Sequence, residues 1–347
     1  MIKILLYVPV FLLTFFGVEL FRRWSRRRNI FDIPNERSSH ITPTPRGGGL
    51  IIGVVCLAAV FGYCSIFQIN YYWSYFIGAI IIISISWLDD LFSISVIWRF
   101  VCHGLAAAIT VWSLGYWESV YLPYGGTISL GQFGFFLTFL WIVWLTNAYN
   151  FMDGIDGIAA TQAVTAGIGW MVIGILLGIE TVGFYAGVIV FSSFGFLIHN
   201  WQPAKIFMGD VGSAFLGFSF AVLPLLAKKE MAADNSSSHL LPLIAVSLVW
   251  LFLFDTVLTF FRRVFMREKL WQAHRGHIYQ KLVIAGYSHQ FVSVLYCAAS
   301  SLTIIFFIYW LSANRDSTGG LIFLMVLQAL GILTVLYLSK PTPNLNK

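Results

Sequence analysis

The sequence predicts an all-α polytopic membrane protein, and three observations carry that reading. Hydrophobic residues make up 59% of the 347-residue chain, charged residues only 10%, and mean hydropathy is +0.81. A soluble domain has roughly 25% charged residues. Apolar runs of the length a bilayer requires, about 20 residues, recur along the whole chain, and the polar residues able to do chemistry fall between them.

The runs predict eleven spans, near 4–21, 47–67, 73–88, 100–117, 133–149, 158–179, 182–199, 212–227, 240–261, 290–312 and 320–339, forming one domain over 1–347. The first follows Lys3 and has no small-residue cleavage site before Glu19, so it reads as a retained span. The arginines from Arg22 to Arg28 form a headgroup belt behind it. Seventeen of the 21 Lys and Arg residues lie on one set of alternate loops, which puts the N-terminus outside and the C-terminus in the cytoplasm. The pI of about 9.1 then reflects an anionic inner leaflet and an anionic substrate, with no nucleic acid needed. Cys56, Cys64, Cys102 and Cys297 sit in apolar runs without a CxxC pair and read as packing residues.

Every chemical-looking polar cluster falls on the basic side: about 22–46, 89–99, 147–157, 200–212 and 262–289. One site assembled from five loops is the economical interpretation.

The centre of that site is the stretch Asn147 to Gly157, which carries Asn147, Asn150, Asp153 and Asp156 between two uncharged segments. A single Asp at a bilayer centre costs about 2.5–3.5 kcal/mol, so these groups belong at a water-facing edge or in a protein-lined cavity. Gly154 and Gly157 are poor helix formers, which predicts a turn between two spans with its oxygens facing a ligand. Oxygen-only ligands suit a hard cation such as Mg²⁺.

The remaining clusters each admit two readings. The three glycines Gly47 to Gly49 could let backbone approach a ligand or cradle phosphate, with Arg37, His40 and Arg46 as nearby donors, or could form a plain flexible entry to the second span. Asp89 and Asp90 end the third span. Adjacent helical residues diverge by about 100°, so at most one of them faces a given ligand squarely. Arg99 and His103, one turn apart at the start of the next span, can set a cation beside that pair, with His103 as a packing residue. Asp210 lies between Gly209 and Val211 at the start of a span, where it can cap a helix and also hold a metal. His274, Arg275 and His277, following Arg262, Arg263, Arg267 and Lys269, read better as a basic phosphate clamp than as a zinc site, because no cysteine is near.

Taken together, Asn147 to Gly157, Phe207 to Ser213, Asp89-Asp90, Pro34 to His40 with Pro43 to Gly49, and His274 to Gln280 resemble the polyprenyl-phosphate N-acetylhexosamine 1-phosphate transferase superfamily. The motifs run in the family's order, and the conjunction resembles most closely the bacterial branch that initiates O-antigen and related surface glycans. The resemblance implies transfer of an N-acetylhexosamine 1-phosphate from a UDP-sugar to undecaprenyl phosphate, release of UMP, a Mg²⁺ requirement that Mn²⁺ could meet, and a bacterial inner membrane with the active site cytoplasmic. By motif it implies Asn150 and Asp210 as metal ligands, and Asp89, Asp90, Asp153 and His277 as catalytic. Arg46, Arg99, Asn147, Asp156, Asn200, His274 and Arg275 would contact substrate. The last loop departs from the family pattern: His274 stands for an Asp, and Tyr279-Gln280 for the final histidines. Besides both substrates, membrane lipids are expected partners, and the sequence is compatible with a homodimer.

Two other classes compete. A transporter would use carboxylates as an ion path, with Asp255 inside the ninth span as its best candidate. Such folds, however, place these groups near the midplane on repeated, broken helices, and no repeat is visible here. A scaffold would not need Asn150, Asp153 and Asp210.

Overall fold

The computed structural model describes residues 5–34, 42–122, 125–231, 237–269, 275–313 and 318–339. The chain is a helical bundle: α1 (Tyr7–Arg27), α2 (Gly49–Phe67), α3 (Trp73–Phe92), α4 (Val96–Leu114), α5 (Phe133–Phe151), α6 (Ile158–Leu177), α7 (Glu180–Asn200), α8 (Asp210–Glu230), α9 (Leu241–Leu248), α10 (Trp250–Phe265), α11 (Ile278–Ile284), α12 (His289–Ala313) and α13 (Thr318–Leu338). Each apolar run of the sequence is helical. Seven of these helices are long and apolar enough to cross a membrane, or eight if α9 and α10 count as one bent span. This is a multi-pass membrane protein.

The structure departs from the sequence reading in four places. Two antiparallel pairs interrupt the all-α pattern: β1 (Phe31–Asp32) with β2 (Thr44–Pro45), and β3 (Ser119–Leu122) with β4 (Gly126–Ser129). The third span runs on to Phe92, so Asp89 and Asp90 lie inside its last turn. Asn147 and Asn150 likewise belong to the last turn of α5, and the turn proper begins at Met152. The ninth span breaks by 73° at Val249 between α9 and α10.

The break has an identifiable support. A bend frees backbone groups that lipid cannot satisfy. Here Gln162 Nε2 donates to the Leu248 carbonyl at 2.9 Å, and Ser300 Oγ donates to Gln162 Oε1 at 3.0 Å.

Helix α8 is the post around which the bundle is built. Every residue from Val211 to Ala227 is buried, and its 21 residues span about 31 Å at 1.5 Å per residue, close to the thickness of a bilayer's hydrocarbon. Helices α2, α3, α4, α5, α7 and α9 pack against it. Small residues set the closest approaches: a Cβ at Gly217 would meet the Leu145 carbonyl, and Gly49 and Gly212 lie backbone against backbone.

Candidate active site

The C-terminal ends of α3 and α5 and the N-terminal ends of α4 and α8 meet at one end of the bundle. Asp90 ties two of them together. Its Oδ1 accepts the Asp210 amide at 3.0 Å and its Oδ2 the Val211 amide at 3.2 Å, so it satisfies the first amides of α8. The helix-capping role that the sequence offers to Asp210 therefore falls to a carboxylate from α3. Gly209 makes this approach feasible: its φ is +77°, and a Cβ there would lie 2.5 Å from Asp90 Oδ2.

Arg46 completes the tie, with Nη2 donating to Asp90 Oδ1 at 2.6 Å. Burial alone would lower the Arg46 pKa, but the charges of Asp90, Asp210 and Asp32, with the hydrogen bond to Asp90, hold it above its ordinary value. With both oxygens occupied and its side chain fully buried, Asp90 is a positioning residue.

Asp89 and Asp210 are arranged differently. A single nitrogen of Arg99, Nη1, donates to Asp89 Oδ2 at 2.5 Å and to Asp210 Oδ2 at 2.8 Å. Asn150 Oδ1 accepts Ser213 Oγ, in the first turn of α8, at 3.3 Å, and Asn147 Nδ2 donates to the Val143 carbonyl at 2.7 Å. In the turn beyond α5, Asp153 has its carboxyl pushed well above the usual range by burial and then by the charges of Asp210, Asp90 and Asp156.

These groups fit a divalent cation. Asp89, Asp90 and Asp210 face two guanidinium groups, Arg46 and Arg99, which leaves one negative charge in excess. Among the described residues no three His, Cys, Asp or Glu side chains converge as a closed metal cage.

The last loop reaches the same turn. Tyr279 Oη donates to the Phe151 carbonyl at 3.0 Å, and the His277 ring lies near-parallel to those of Phe151 and Tyr279, with centroids 6.4 and 5.8 Å away. Arg262 Nη2 holds this loop by donating to the Gly276 carbonyl at 3.1 Å, with Arg275 alongside. His274, Arg37 and His40 lie outside the described residues.

Three more of the expected site groups are engaged in structural contacts. Asn200 is buried and uses both ends of its amide: Oδ1 accepts the Gly157 amide at 2.9 Å, and Nδ2 donates to the Ile206 carbonyl at 3.0 Å. It fastens the turn to the segment before α8. Asp156 is similarly engaged, accepting the Ala204 amide at 3.1 Å and pairing with His289 at 3.5 Å, so it too is a brace. The glycine run is no phosphate cradle at Gly48 and Gly49, whose amides donate to the carbonyls of Phe207 and Met208 at 3.0 and 2.9 Å.

Asp255, the ion-path candidate, is committed to structural contacts. Fully buried, it accepts from the amides of Ile278 and Tyr279, from Thr259 and Tyr296 hydroxyls and from His277. Ser213, inside the Phe207 to Ser213 motif, and His289 are members of the site region to which the sequence assigns no individual role. Both are small or common polar residues whose signal exists only once distant segments are brought together.

Residues 72–228 match the family model described as glycosyl transferase family 4. Three relatives align over most of the chain. A Bacillus subtilis protein named "Probable undecaprenyl-phosphate N-acetylglucosaminyl 1-phosphate transferase" is 32% identical over 301 residues, covering 85% of this chain and 81% of that one. The decaprenyl-phosphate N-acetylglucosaminephosphotransferase of Mycobacterium leprae is 28% identical, covering 82% and 77%. The undecaprenyl-phosphate alpha-N-acetylglucosaminyl 1-phosphate transferase of Salmonella typhi is 27% identical, covering 85% and 80%.

Proposed function

The chain belongs to glycosyl transferase family 4, with the polyprenyl-phosphate N-acetylglucosaminyl 1-phosphate transferases, and from that premise we propose that it transfers an N-acetylhexosamine 1-phosphate from a UDP-sugar to undecaprenyl phosphate. An oxygen of the lipid phosphate attacks the β-phosphorus of the nucleotide sugar, the bond from that phosphorus to the bridging oxygen breaks, and UMP leaves. The product is a lipid-diphosphate-sugar that starts an O-antigen or related surface glycan. We place the protein in a bacterial inner membrane with eleven spans, the N-terminus outside, and the site and C-terminus in the cytoplasm, as the distribution of Lys and Arg suggests.

The observation that carries the reading is the bridge of Arg99 between Asp89 and Asp210 at the start of α8. Two anionic substrates must meet in this reaction, so charge neutralisation and alignment are the main tasks. Mg²⁺ is the expected cofactor: Asn150 and Asp210 would hold it, and it would supply positive charge to the pyrophosphate. Arg99, Arg275 and His277 offset the rest of the phosphate charge, and Asp153 lines the same pocket of carboxylates. A phosphomonoester has its second pKa near 6, so the lipid phosphate is already largely a dianion at neutral pH. Asp89 therefore acts by orienting Arg99 and the attacking group more than by removing a proton.

The test is UMP release by detergent-purified protein given undecaprenyl phosphate, Mg²⁺ and a panel of UDP-N-acetylhexosamines. Release with one donor, abolished by EDTA, establishes the reaction and its sugar. Absence of release with every donor, from folded protein, would overturn it.

A further inference from the structure

We propose that His103 is a positioning residue for Arg99: one of its ring nitrogens is a second seat for the guanidinium, taken up when a cation claims Asp210. The inference rests on the reading of Asp210 as a cation ligand, and extends it to a residue of α4 that the sequence offers only as packing.

His103 is 3% exposed, and neither of its ring nitrogens has a hydrogen-bond partner among the described residues. A buried polar group left unbonded is costly, so the ring calls for a partner that the metal-free arrangement does not supply. Three polar groups stand around it: Arg99 from its own helix, Asn147 from α5 and Asp210 from α8. Arg99 is four residues earlier on α4, so the two side chains share one face of that helix. Helical side chains lean toward the N-terminus, which carries the imidazole back toward the turn that holds Arg99.

The chemistry of the ring selects its partners. A neutral imidazole has one N–H and one lone pair. Asn147 Nδ2 donates to the Val143 carbonyl at 2.7 Å, which leaves Asn147 Oδ1 to accept the ring N–H. The lone pair needs a donor, and a guanidinium presents five N–H groups, of which those on Nη1 serve Asp89 and Asp210. A cation at Asp210 takes the oxygen that Nη1 now holds and repels the guanidinium. Arg99 can then keep Asp89 and turn another N–H to His103, so its charge stays in the site to meet phosphate. Without the ring nitrogen that displacement loses a bond and gains none, and the cation has to bind against the loss. A residue that only fills space would do none of this: a leucine would serve as well, because it removes two unbonded polar atoms from the metal-free protein.

The experiment titrates Mn²⁺ into full-length protein in detergent, without substrate, and follows free Mn²⁺ by paramagnetic resonance. His103→Leu should bind Mn²⁺ about 10-fold more weakly than wild type, with a metal-free melting temperature no lower. His103→Gln offers the guanidinium a carbonyl oxygen and should stay within about threefold of wild type. In an Arg99→Gln background the His103→Leu change should leave Mn²⁺ affinity unaltered. Wild-type affinity in His103→Leu, or equal weakening with and without Arg99, would overturn the proposal. Should His103→Leu not fold, His103→Met carries the same comparison. Asp210→Asn keeps the two readings apart: if it loses Mn²⁺ while His103→Leu does not, only the second seat is removed, whereas wild-type affinity in Asp210→Asn overturns the cation reading and this proposal with it.

Discussion

One guanidinium nitrogen of Arg99 lies 2.5 Å from Asp89 and 2.8 Å from Asp210. A single positive atom thus bridges two carboxylates from α3 and α8. A cation held by Asp210 would compete with it for the same oxygens. Arg99→Gln should therefore bind Mn²⁺ more tightly than wild type in the absence of substrate, by several-fold in a paramagnetic-resonance titration, while turnover falls by at least about 10-fold because a phosphate contact is lost. An unchanged Mn²⁺ affinity would count against the competition.

The adjacent carboxylates Asp89 and Asp90 should separate cleanly by variant. Asp90→Ala uncaps α8 and strands Arg46, with a loss of about 2 kcal/mol expected from the cap and the buried unsatisfied donors. Asp89→Ala breaks one contact of a partly exposed arginine and should leave the melting temperature close to wild type while removing most turnover. Equal melting temperatures for the two variants would contradict the assignment of Asp90 as the cap.

These two aspartates also show what was legible in the sequence. Carboxylates and amides are so rare in a chain with 10% charged residues that Asp89, Asp90, Asn150, Asp153 and Asp210 stand out, and apolar run length locates the helices around them. The division of labour was not legible, because it depends on partners far away in the chain. Asp90 meets the Asp210 amide 120 positions later, and Asp255 meets Ile278 23 positions later. The glycine run misled for the same reason, since its amides are taken by Phe207 and Met208. Run length also could not reveal the break at Val249, which is supported by Gln162 from another helix.

Asn200 offers a test of a brace against a substrate contact. Asn200→Ala leaves the Gly157 amide and the Ile206 carbonyl without partners in a buried setting, at about 1–3 kcal/mol for each group. The melting temperature should drop, while KM for the UDP-sugar, measured well below that temperature, stays within about twofold of wild type. A large rise in KM with unchanged stability would restore Asn200 to the substrate.

Asp153 makes stability depend on pH in a direction that can be stated in advance. Its carboxyl is raised well above the usual range by burial and then by Asp210, Asp90 and Asp156. Above the ordinary carboxyl pKa of about 4, the unfolded chain has lost this proton and the folded protein retains it, so the folded state binds more protons and stability falls as pH rises. An Asn at this position cannot ionise and escapes that cost. In EDTA, Asp153→Asn should melt at a higher temperature than wild type at pH 7.5, and the gap should close as pH is lowered toward about 4. Added Mg²⁺ should narrow the gap from the other side, because a cation among these carboxylates favours the ionised form of Asp153. An Asp153→Asn protein that melts below wild type at pH 7.5 in EDTA, or a gap that widens on acidification, would show that Asp153 is not held protonated by its neighbours.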